Sequence, residues 1–157
     1  MRLEMVRDLA RLVEPQAAAH GIDVLCVPFG HPVWVDADRD LLKQAFLNVV
    51  MNGLEAMPDG GRLSLSCRRV AGMCHVEIAD TGPGIAPEIH DKIFNLYFTT
   101  KAKGSGIGLA MAYRFVQLLD GRMTFKSDVS RGATFIFDLP EAPSSPSAEP
   151  AAVSRSA

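Results

Sequence analysis

Residues 41–57 (LLKQAFLNVVMNGLEAM) constrain the fold most, because a helix over this segment is apolar on nearly every side. Such a helix must be covered by other elements over most of its surface. Its polar exceptions recur at i, i+4, i+8 and i+11 and so form one stripe: Gln44, Asn48, Asn52 and Glu55. Buried amides need hydrogen-bond partners. The stripe therefore either completes a polar network in the core or lines a site where amide oxygens meet a hard cation and phosphate oxygens.

The remaining chain supplies elements that can cover this helix. Its 157 residues, 48% of them apolar, fit one domain of ordinary size. Helical spacing predicts further helices over residues 1–20, where Pro15 would kink or end the helix, and 105–119. Runs rich in β-forming residues predict strands at 22–27, 32–35, 62–69, 73–80, 122–127 and 133–139. The mixture is typical of an α/β domain.

Charge and composition exclude several classes of protein. The 16 basic and 18 acidic residues leave a net charge of -2, which gives no electrostatic basis for binding nucleic acid. No apolar run approaches the ~18 residues needed to cross a bilayer, and the N-terminus lacks the apolar segment of a signal peptide. The three cysteines form no CxxC motif and the histidines are scattered, so we expect neither a disulfide framework nor a zinc site. We expect a cytoplasmic domain without membrane contact.

A carboxylate followed by glycines stands where the strand 73–80 ends, in the sequence Asp80-Thr81-Gly82-Pro83-Gly84. A carboxylate at this point can accept a hydrogen bond from an exocyclic amine, and glycines let a ring lie close to the backbone. An ordinary Asp-Gly turn has the same sequence.

Glycines also lead directly into the helix at 105–119, in the sequence GSGIGL at 104–109. The N–H groups and the positive dipole end of a helix N-terminus attract anions. The GxGxG spacing is not the dinucleotide-binding fingerprint, and no Walker lysine follows it. The preceding residues 81–104 are irregular apart from a short helical stretch, and irregular segments of this length tend to be functional.

Together these segments resemble the catalytic, ATP-binding (HATPase_c) domain of bacterial sensor histidine kinases, a branch of the GHKL superfamily of ATPases. NVVMNGLEAM resembles the family's asparagine box, DTGPGI the first glycine box, IFNLYFTTK the phenylalanine box, GSGIGLAMA the second glycine box and GATF the third. Five motifs in the family's order and spacing rarely arise by chance. NGLEAMPDGG with FTTK is most similar to the nitrogen-regulation type of sensor kinase.

The resemblance implies an architecture and a division of the chain. The fold would be a two-layer α/β sandwich, the Bergerat ATP-binding fold, with a mixed sheet of about five strands and helices on one face. Residues 21–140 would form the ATP-binding domain. Residues 1–20 would be the helical tail of a connection to a missing dimerisation and phosphoacceptor domain. Residues 141–157, rich in Pro, Ala and Ser, would be a disordered tail.

It also implies roles for single residues on the adenine and metal sides of a nucleotide. Asn52 would hold Mg²⁺, and Asn48 would support the metal–phosphate side. Asp80 would bind the adenine amino group, with Thr134 nearby through water. The glycines of the first box, Gly82 and Gly84, would let the purine approach.

A lid over roughly residues 86–104 would cover the phosphates. Lys101 would meet phosphate from this lid, and Phe94 and Phe98 would either anchor it or pack in the core. The second glycine box would hinge the lid and present N–H groups to the phosphates, through Gly104, Ser105, Gly106, Gly108 and Leu109.

The sequence departs from the family at two positions. Gly53 stands where the family usually has alanine. Glu55 stands where many relatives carry a basic residue that reaches phosphate, and it is either a solvated acid at the helix end or a group that orients water or metal.

The resemblance favours phosphoryl transfer over hydrolysis. The superfamily's ATP hydrolases use a glutamate as general base one helical turn before the metal asparagine, where this chain has Asn48, and an amide cannot take a proton from water. The expected function is binding of Mg-ATP and transfer of its γ-phosphate to a histidine on a separate domain, which serves a response regulator receiver domain in turn. Of the four histidines only His90 is followed by an acid, and it lies in the lid, so neither a catalytic base nor the phosphoacceptor is expected in this chain. The alternatives are a stand-alone hydrolase or serine kinase, and a non-catalytic nucleotide-sensing module.

Overall fold

The computed structural model describes residues 5–27, 33–99 and 106–142. In these parts of the chain three helices accompany five strands. The helices are α1 (Met5–Ala19), α2 (Arg39–Glu55) and α3 (Gly108–Leu118). The strands are β1 (Ile22–Cys26), β2 (Gly61–Val70), β3 (Met73–Asp80), β4 (Arg122–Asp128) and β5 (Gly132–Pro140). A short 3₁₀ helix at Pro87–Ile89 interrupts the long connection from β3 to α3.

The strands form one mixed sheet in the order β1-β2-β3-β5-β4. β1 runs parallel to β2, and the other three neighbouring pairs are antiparallel. Alternate side chains of the central strands are buried toward the helices, among them Leu63, Leu65, Val76, Ile78, Phe135, Phe137 and Leu139. We call this the helix side of the sheet and the opposite surface, which carries His75, Glu77 and Asp138, the outer side. The expected mixed five-stranded sheet with helices is confirmed.

α2 lies at the centre of the helical layer, as its apolar sequence predicts. It buries Leu42, Ala45, Phe46, Val49, Val50 and Leu54. Phe46 meets the ring of Phe137 edge-on at 4.9 Å between centroids. Truncation of a fully buried phenylalanine to alanine costs about 3 kcal/mol or more of the free energy of unfolding, so Phe46 contributes to stability on this scale.

Asp38 sets the beginning of α2. Its Oδ1 accepts hydrogen bonds from the backbone N–H of Asp40 at 2.9 Å and of Leu41 at 3.1 Å. The helix ends at Glu55, two residues before the predicted end. Pro58 accounts for the earlier end, because a proline disfavours helical geometry in the residue before it.

α1 packs against the core formed by the sheet and the other helices. The helix buries Met5, Val6, Leu9, Ala10, Val13 and Ala17 in the same hydrophobic cluster as the sheet. The division of the chain at residue 20 stays a prediction, as does a connection to a further domain.

Pro15 lies inside α1 and does not end it. The side chain is on the exposed surface of the helix, where the missing N–H costs one hydrogen bond but no buried contact. The helix therefore continues to Ala19.

Of the predicted strand at 32–35, residues 33–35 are described and form isolated bridges rather than a strand. Val35 pairs with Glu141, and Ala142 N donates a hydrogen bond to Trp34 O at 2.8 Å. Residues 141–142 are therefore paired, although they were predicted to begin a disordered tail. Residues 143–157 lie outside the described parts. No helix in the described parts has the length and apolarity that a membrane crossing requires.

Candidate nucleotide site

A cavity of about 710 Å³ opens between α2, the segment 83–99 and the N-terminus of α3. This volume is typical of small-molecule sites. The wall contains the polar residues Asn48, Asn52, Glu55 and Thr99, and the apolar residues Met51, Ile85, Ile89, Ile93, Phe98 and Leu109 among others. Three members of the α2 polar stripe thus meet both glycine boxes at one cavity.

Asp80 lies at the carboxyl end of β3, directly behind the cavity wall. It is 8% exposed and is the polar residue of the described core. Its Oδ1 accepts hydrogen bonds from Gly82 N at 2.9 Å and from Ala133 N at 3.4 Å. A side chain at Gly82 would come within 3.0 Å of both this oxygen and the carbonyl oxygen of Ala56, a wall residue. The carboxylate is therefore held by backbone donors beside the cavity wall, although Asp80 is not itself among the residues that line the cavity.

Gly53 is the point where α2 passes over this carboxylate. A Cβ at residue 53 would lie 3.6 Å from Asp80 Cβ and 3.0 Å from a terminal methyl of Leu63. The glycine that replaces the family's usual alanine thus leaves a narrow gap between helix and sheet.

The structure shows a steric reason for a glycine at residue 84, and the predicted approach of a purine to this loop stays a prediction. Gly84 has φ +77°, and a Cβ there would lie 2.3 Å from the carbonyl oxygen of Asp128. The absent side chain thus faces the turn between β4 and β5, although Gly84 backbone atoms line the cavity. Further bonds fasten the loop to the same turn: Ser130 N donates to Pro83 O at 2.7 Å, and Ile85 N donates to Ser127 Oγ at 2.6 Å.

Asn48 joins α2 to the beginning of α3. Its Nδ2 donates to Gly108 O at 3.0 Å, while its Oδ1 accepts from Gln44 Nε2 at 2.7 Å. The polar stripe therefore contributes to a hydrogen-bond network and also lines a cavity, while its contact with a cation and phosphate stays a prediction.

The second glycine box brings Gly106, Gly108 and Leu109 to the cavity wall. Gly106 has φ +69°, and a Cβ there would lie 2.3 Å from the carbonyl carbon of Tyr97. Tyr97 N also donates to Gly106 O at 2.9 Å. Glycine is thus required at residue 106, where the second glycine box touches Tyr97 of the predicted lid. The predicted site residues Lys101, Gly104 and Ser105 lie outside the described residues.

The phenylalanine box divides its two aromatic residues between core and cavity. Phe94 stacks on Tyr113 of α3 with 4.8 Å between centroids, and it meets Phe125 of β4 edge-on at 5.7 Å. Phe98 lines the cavity instead. Core packing of Phe94 is therefore what holds the segment 87–99 against the domain.

The structure does not bring Thr134 to the site. Its neighbours Ala133 and Phe135 are buried on the helix side, so alternation along β5 turns Thr134 to the outer side, away from Asp80. Ala133 takes the place beside Asp80 and contributes a backbone N–H. The apolar residues at alternate positions, Phe135, Phe137 and Leu139, indicate in the sequence which side of β5 is buried. This alternation could have predicted that Thr134 points to the outer side.

The described residues contain no cluster of three or more His, Cys, Asp or Glu side chains arranged to hold a metal ion. Side-chain oxygens on the cavity wall belong to Asn48, Asn52, Glu55 and Thr99, and the Asn48 oxygen accepts a hydrogen bond from Gln44. Amide and carboxylate oxygens suit a hard cation such as Mg²⁺ that also takes ligands from phosphate.

Comparisons with known proteins agree with this geometry. The sequence profile of the family described as histidine kinase-, DNA gyrase B-, and HSP90-like ATPase (HATPase_c) matches residues 37–143. Sporulation kinase D of Bacillus subtilis (strain 168) is 38% identical over 109 residues, which make up 69% of this chain and 22% of that kinase. The chain thus spans about a fifth of the length of this curated relative.

Solved structures give the same result. Full-length ShkA in complex with AMPPNP matches with a TM-score of 0.80 and 29% identity, over 90% of this chain and 30% of that one. Histidine kinase ThkA in complex with response regulator protein TrrA matches with a TM-score of 0.75 and 27% identity, over 91% of this chain and 41% of that one. The chain therefore belongs to the histidine kinase-, DNA gyrase B- and HSP90-like ATPase family, as a HATPase_c domain of the kind found in bacterial sensor histidine kinases.

Proposed function

We propose that this domain binds Mg-ATP and presents the γ-phosphate to a histidine on a separate helical domain of the same full-length protein. The observation that carries the proposal is a cavity of nucleotide size where the α2 amides meet the start of α3, with the buried carboxylate of Asp80 next to its wall at Gly82. The phosphohistidine then serves a response regulator receiver domain. ATP supply makes the cytoplasm the compartment, and the NGLEAMPDGG and FTTK sequences support a sensor kinase of the nitrogen-regulation type.

Asp80 provides the base selectivity in this proposal. A carboxylate whose Oδ1 is oriented by two backbone N–H groups accepts a hydrogen bond from the exocyclic amine of adenine. Guanine presents a carbonyl oxygen at the corresponding position, which a carboxylate repels. The apolar wall formed by Met51, Ile85 and Ile89 suits the faces of a purine ring.

In this proposal the opposite wall of the cavity binds the charged phosphates and Mg²⁺. The first N–H groups of α3 lack a side-chain cap and suit phosphate oxygens at the positive end of the helix dipole. Asn52 and Glu55 are the residues that would hold Mg²⁺, which when bound neutralises phosphate charge. Asn48 keeps the start of α3 at a fixed distance from α2 through its bond to Gly108 O. Catalysis then rests on positioning, because an amide at residue 48 cannot activate water.

Two substitutions test the site. Asp80→Asn keeps the shape of the side chain but loses the charge, so we expect ADP affinity to fall about 10- to 100-fold, as for a lost charged hydrogen bond. Asn52→Ala should remove most of the Mg²⁺ dependence of that affinity. Titration calorimetry measures both, with Asp23→Asn on exposed β1 as the matched control. If both variants bind ADP as the unaltered protein does, the site is assigned wrongly.

Glu55 supports one alternative, a stand-alone hydrolase, because it places a carboxylate in the cavity wall. Steady-state release of phosphate from ATP that disappears in Glu55→Gln would favour hydrolysis. Absence of turnover by the unaltered domain, together with adenine-selective binding, favours transfer to a partner histidine.

A further inference from the structure

Two buried thiols touch each other at the end of the sheet that is distant from the nucleotide cavity. Cys67 Sγ and Cys74 Sγ lie 3.4 Å apart, on the adjacent antiparallel strands β2 and β3. Cys67 is opposite Val76 and Cys74 is opposite Arg69, so the cysteines form a diagonal pair on the helix side. Their side chains are 7% and 0% exposed.

The two sulfurs are already in van der Waals contact. The S–S bond is about 2.05 Å long, so they need to approach by about 1.4 Å. Diagonal positions on paired strands are about 7–8 Å apart between Cα atoms, so the backbone at the hairpin end must move closer together for the bond to form. Both side chains already point to the same side of the sheet, within one hydrophobic cluster. A nearby third thiol, Cys26, is more exposed and belongs to the neighbouring strand β1.

We propose that Cys67 and Cys74 are a redox modification site, which hydroperoxides convert to an intramolecular disulfide and dithiol reductants restore. The Cys67 thiolate attacks the hydroperoxide O–O bond, and a sulfenic acid forms as water or an alcohol leaves. Cys74 then attacks this sulfur, and the S–O bond breaks as its oxygen leaves as water with the thiol proton. In total, two thiols and one hydroperoxide give one disulfide, one alcohol or water, and one further water. The two thiols supply the two electrons that reduce the O–O bond.

The two thiols have different parts in this reaction. Cys67 is the more exposed of the two, and its hydrogen bond with Cys74 lowers its pKa, so we assign Cys67 as the nucleophile. The same hydrogen bond and burial raise the pKa of Cys74, which keeps its proton until the second step.

The hairpin end next to the pair gives a route for the oxidant. Residues 68–72 are exposed, and the turn contains Ala71 at φ +51°, which is a strained conformation for a residue with a side chain. Opening of the last few residue pairs at this end uncovers both sulfurs without unfolding the sheet. Asp80 is six residues beyond Cys74, about 20 Å along β3, so the crosslink leaves the nucleotide cavity unaltered.

The test uses the full chain with Cys26→Ser, which leaves only the proposed pair. The protein is treated with hydrogen peroxide, the reaction is quenched, and the mass of the denatured protein is measured by mass spectrometry. We expect a mass loss of about 2 Da from two hydrogens, loss of both titratable thiols and full recovery with dithiothreitol. Trypsin cuts after Arg68 and Arg69, between the two cysteines, so peptides 63–68 and 70–92 should stay joined until reduction. The oxidised protein should unfold about 5 °C higher than the reduced one.

Two results would overturn the proposal. One is that Cys67 and Cys74 stay reduced at a peroxide concentration that is sufficient to oxidise Cys26 in the unaltered protein. The other is a gain of one or more oxygens at Cys67 without a joined peptide. Cys67→Ser and Cys74→Ser in the same background should each abolish the mass loss, and a non-reducing gel should show only monomer, which separates the pair from crosslinks between chains.

Discussion

Asp80 Oδ1 accepts hydrogen bonds from two backbone N–H groups, that of Gly82 just after β3 and that of Ala133 near the start of β5. Neither donor depends on the identity of a side chain, so the carboxylate is oriented by the fold itself. Two glycines leave room for the carboxylate: a Cβ at Gly53 would lie 3.6 Å from Asp80 Cβ, and a Cβ at Gly82 would lie 3.0 Å from Asp80 Oδ1. The adenine selectivity that we propose therefore depends on a single charged group in a fixed position.

Thr134 provides a test of the strand register at residue scale. Thr134→Val keeps the branched shape and changes only a hydroxyl on the outer side of the sheet, so we expect ADP affinity to stay within about twofold. Calorimetric titration of the variant beside the unaltered protein measures this. A tenfold loss would mean that the hydroxyl reaches the adenine site, contrary to the observed alternation along β5.

Gly53→Ala tests the gap between α2 and the sheet. Alanine favours a helix interior by about 1 kcal/mol over glycine, while the new Cβ needs Leu63 to shift by a few tenths of an ångström. Because the contact is with the end of a flexible side chain, we expect a net increase of about 0.5 kcal/mol in the free energy of unfolding. Urea denaturation measures it. A decrease of 1 kcal/mol or more would show that Leu63 cannot move.

At the scale of elements, the outer side of the sheet holds a charged arrangement between β3 and β5. His75 Nδ1 lies 2.7 Å from Asp138 Oδ1, and His75 Nε2 lies 2.9 Å from Glu77 Oε1, with Arg68 of β2 3.9 Å from the same glutamate. Burial lowers the pKa of His75, but the two carboxylates raise it by more, so the pKa is raised above its ordinary 6.5. The protonated ring joins the two strands.

This arrangement predicts a pH dependence of stability. A group whose pKa is higher in the folded than in the unfolded protein stabilises the folded state. This contribution is complete at a pH below the unfolded-state pKa and is lost as the pH rises through the folded-state pKa. We therefore expect the urea midpoint to fall as the pH rises from about 6.5 through the raised pKa of His75. His75→Gln should flatten this part of the profile. A midpoint that rises over the same interval would contradict the assignment.

The elements differ in how far they could be predicted from the sequence. α2 and strands β2, β3 and β5 have strong periodic patterns, and their observed bounds lie within two residues of the predicted ones. The role of α1 could not be predicted from its amphipathic pattern, since the same apolar stripe serves a domain core or a partner domain. The reason for Gly84 could not be predicted either, because its contact with Asp128 joins residues 44 positions apart.

At the scale of the whole molecule, one layer of helices covers one side of the sheet and leaves the cavity at the carboxyl end of β3. The helix that contributes most to the core, α2, also supplies the polar wall of the cavity. Site and core therefore share one element, so the cavity is as rigid as the domain on that side. The opposite wall is a long connection held by Phe94 and by the turn between β4 and β5.

Titration calorimetry of the unaltered protein with ADP and Mg²⁺, beside GDP and Mg²⁺, tests the central claim most directly. We expect ADP to bind and GDP to bind at least about tenfold more weakly, because a carboxylate distinguishes an amine from a carbonyl oxygen by more than 1.4 kcal/mol. Equal binding of the two nucleotides, or binding of neither, would contradict the assignment of Asp80 and the cavity as an adenine nucleotide site.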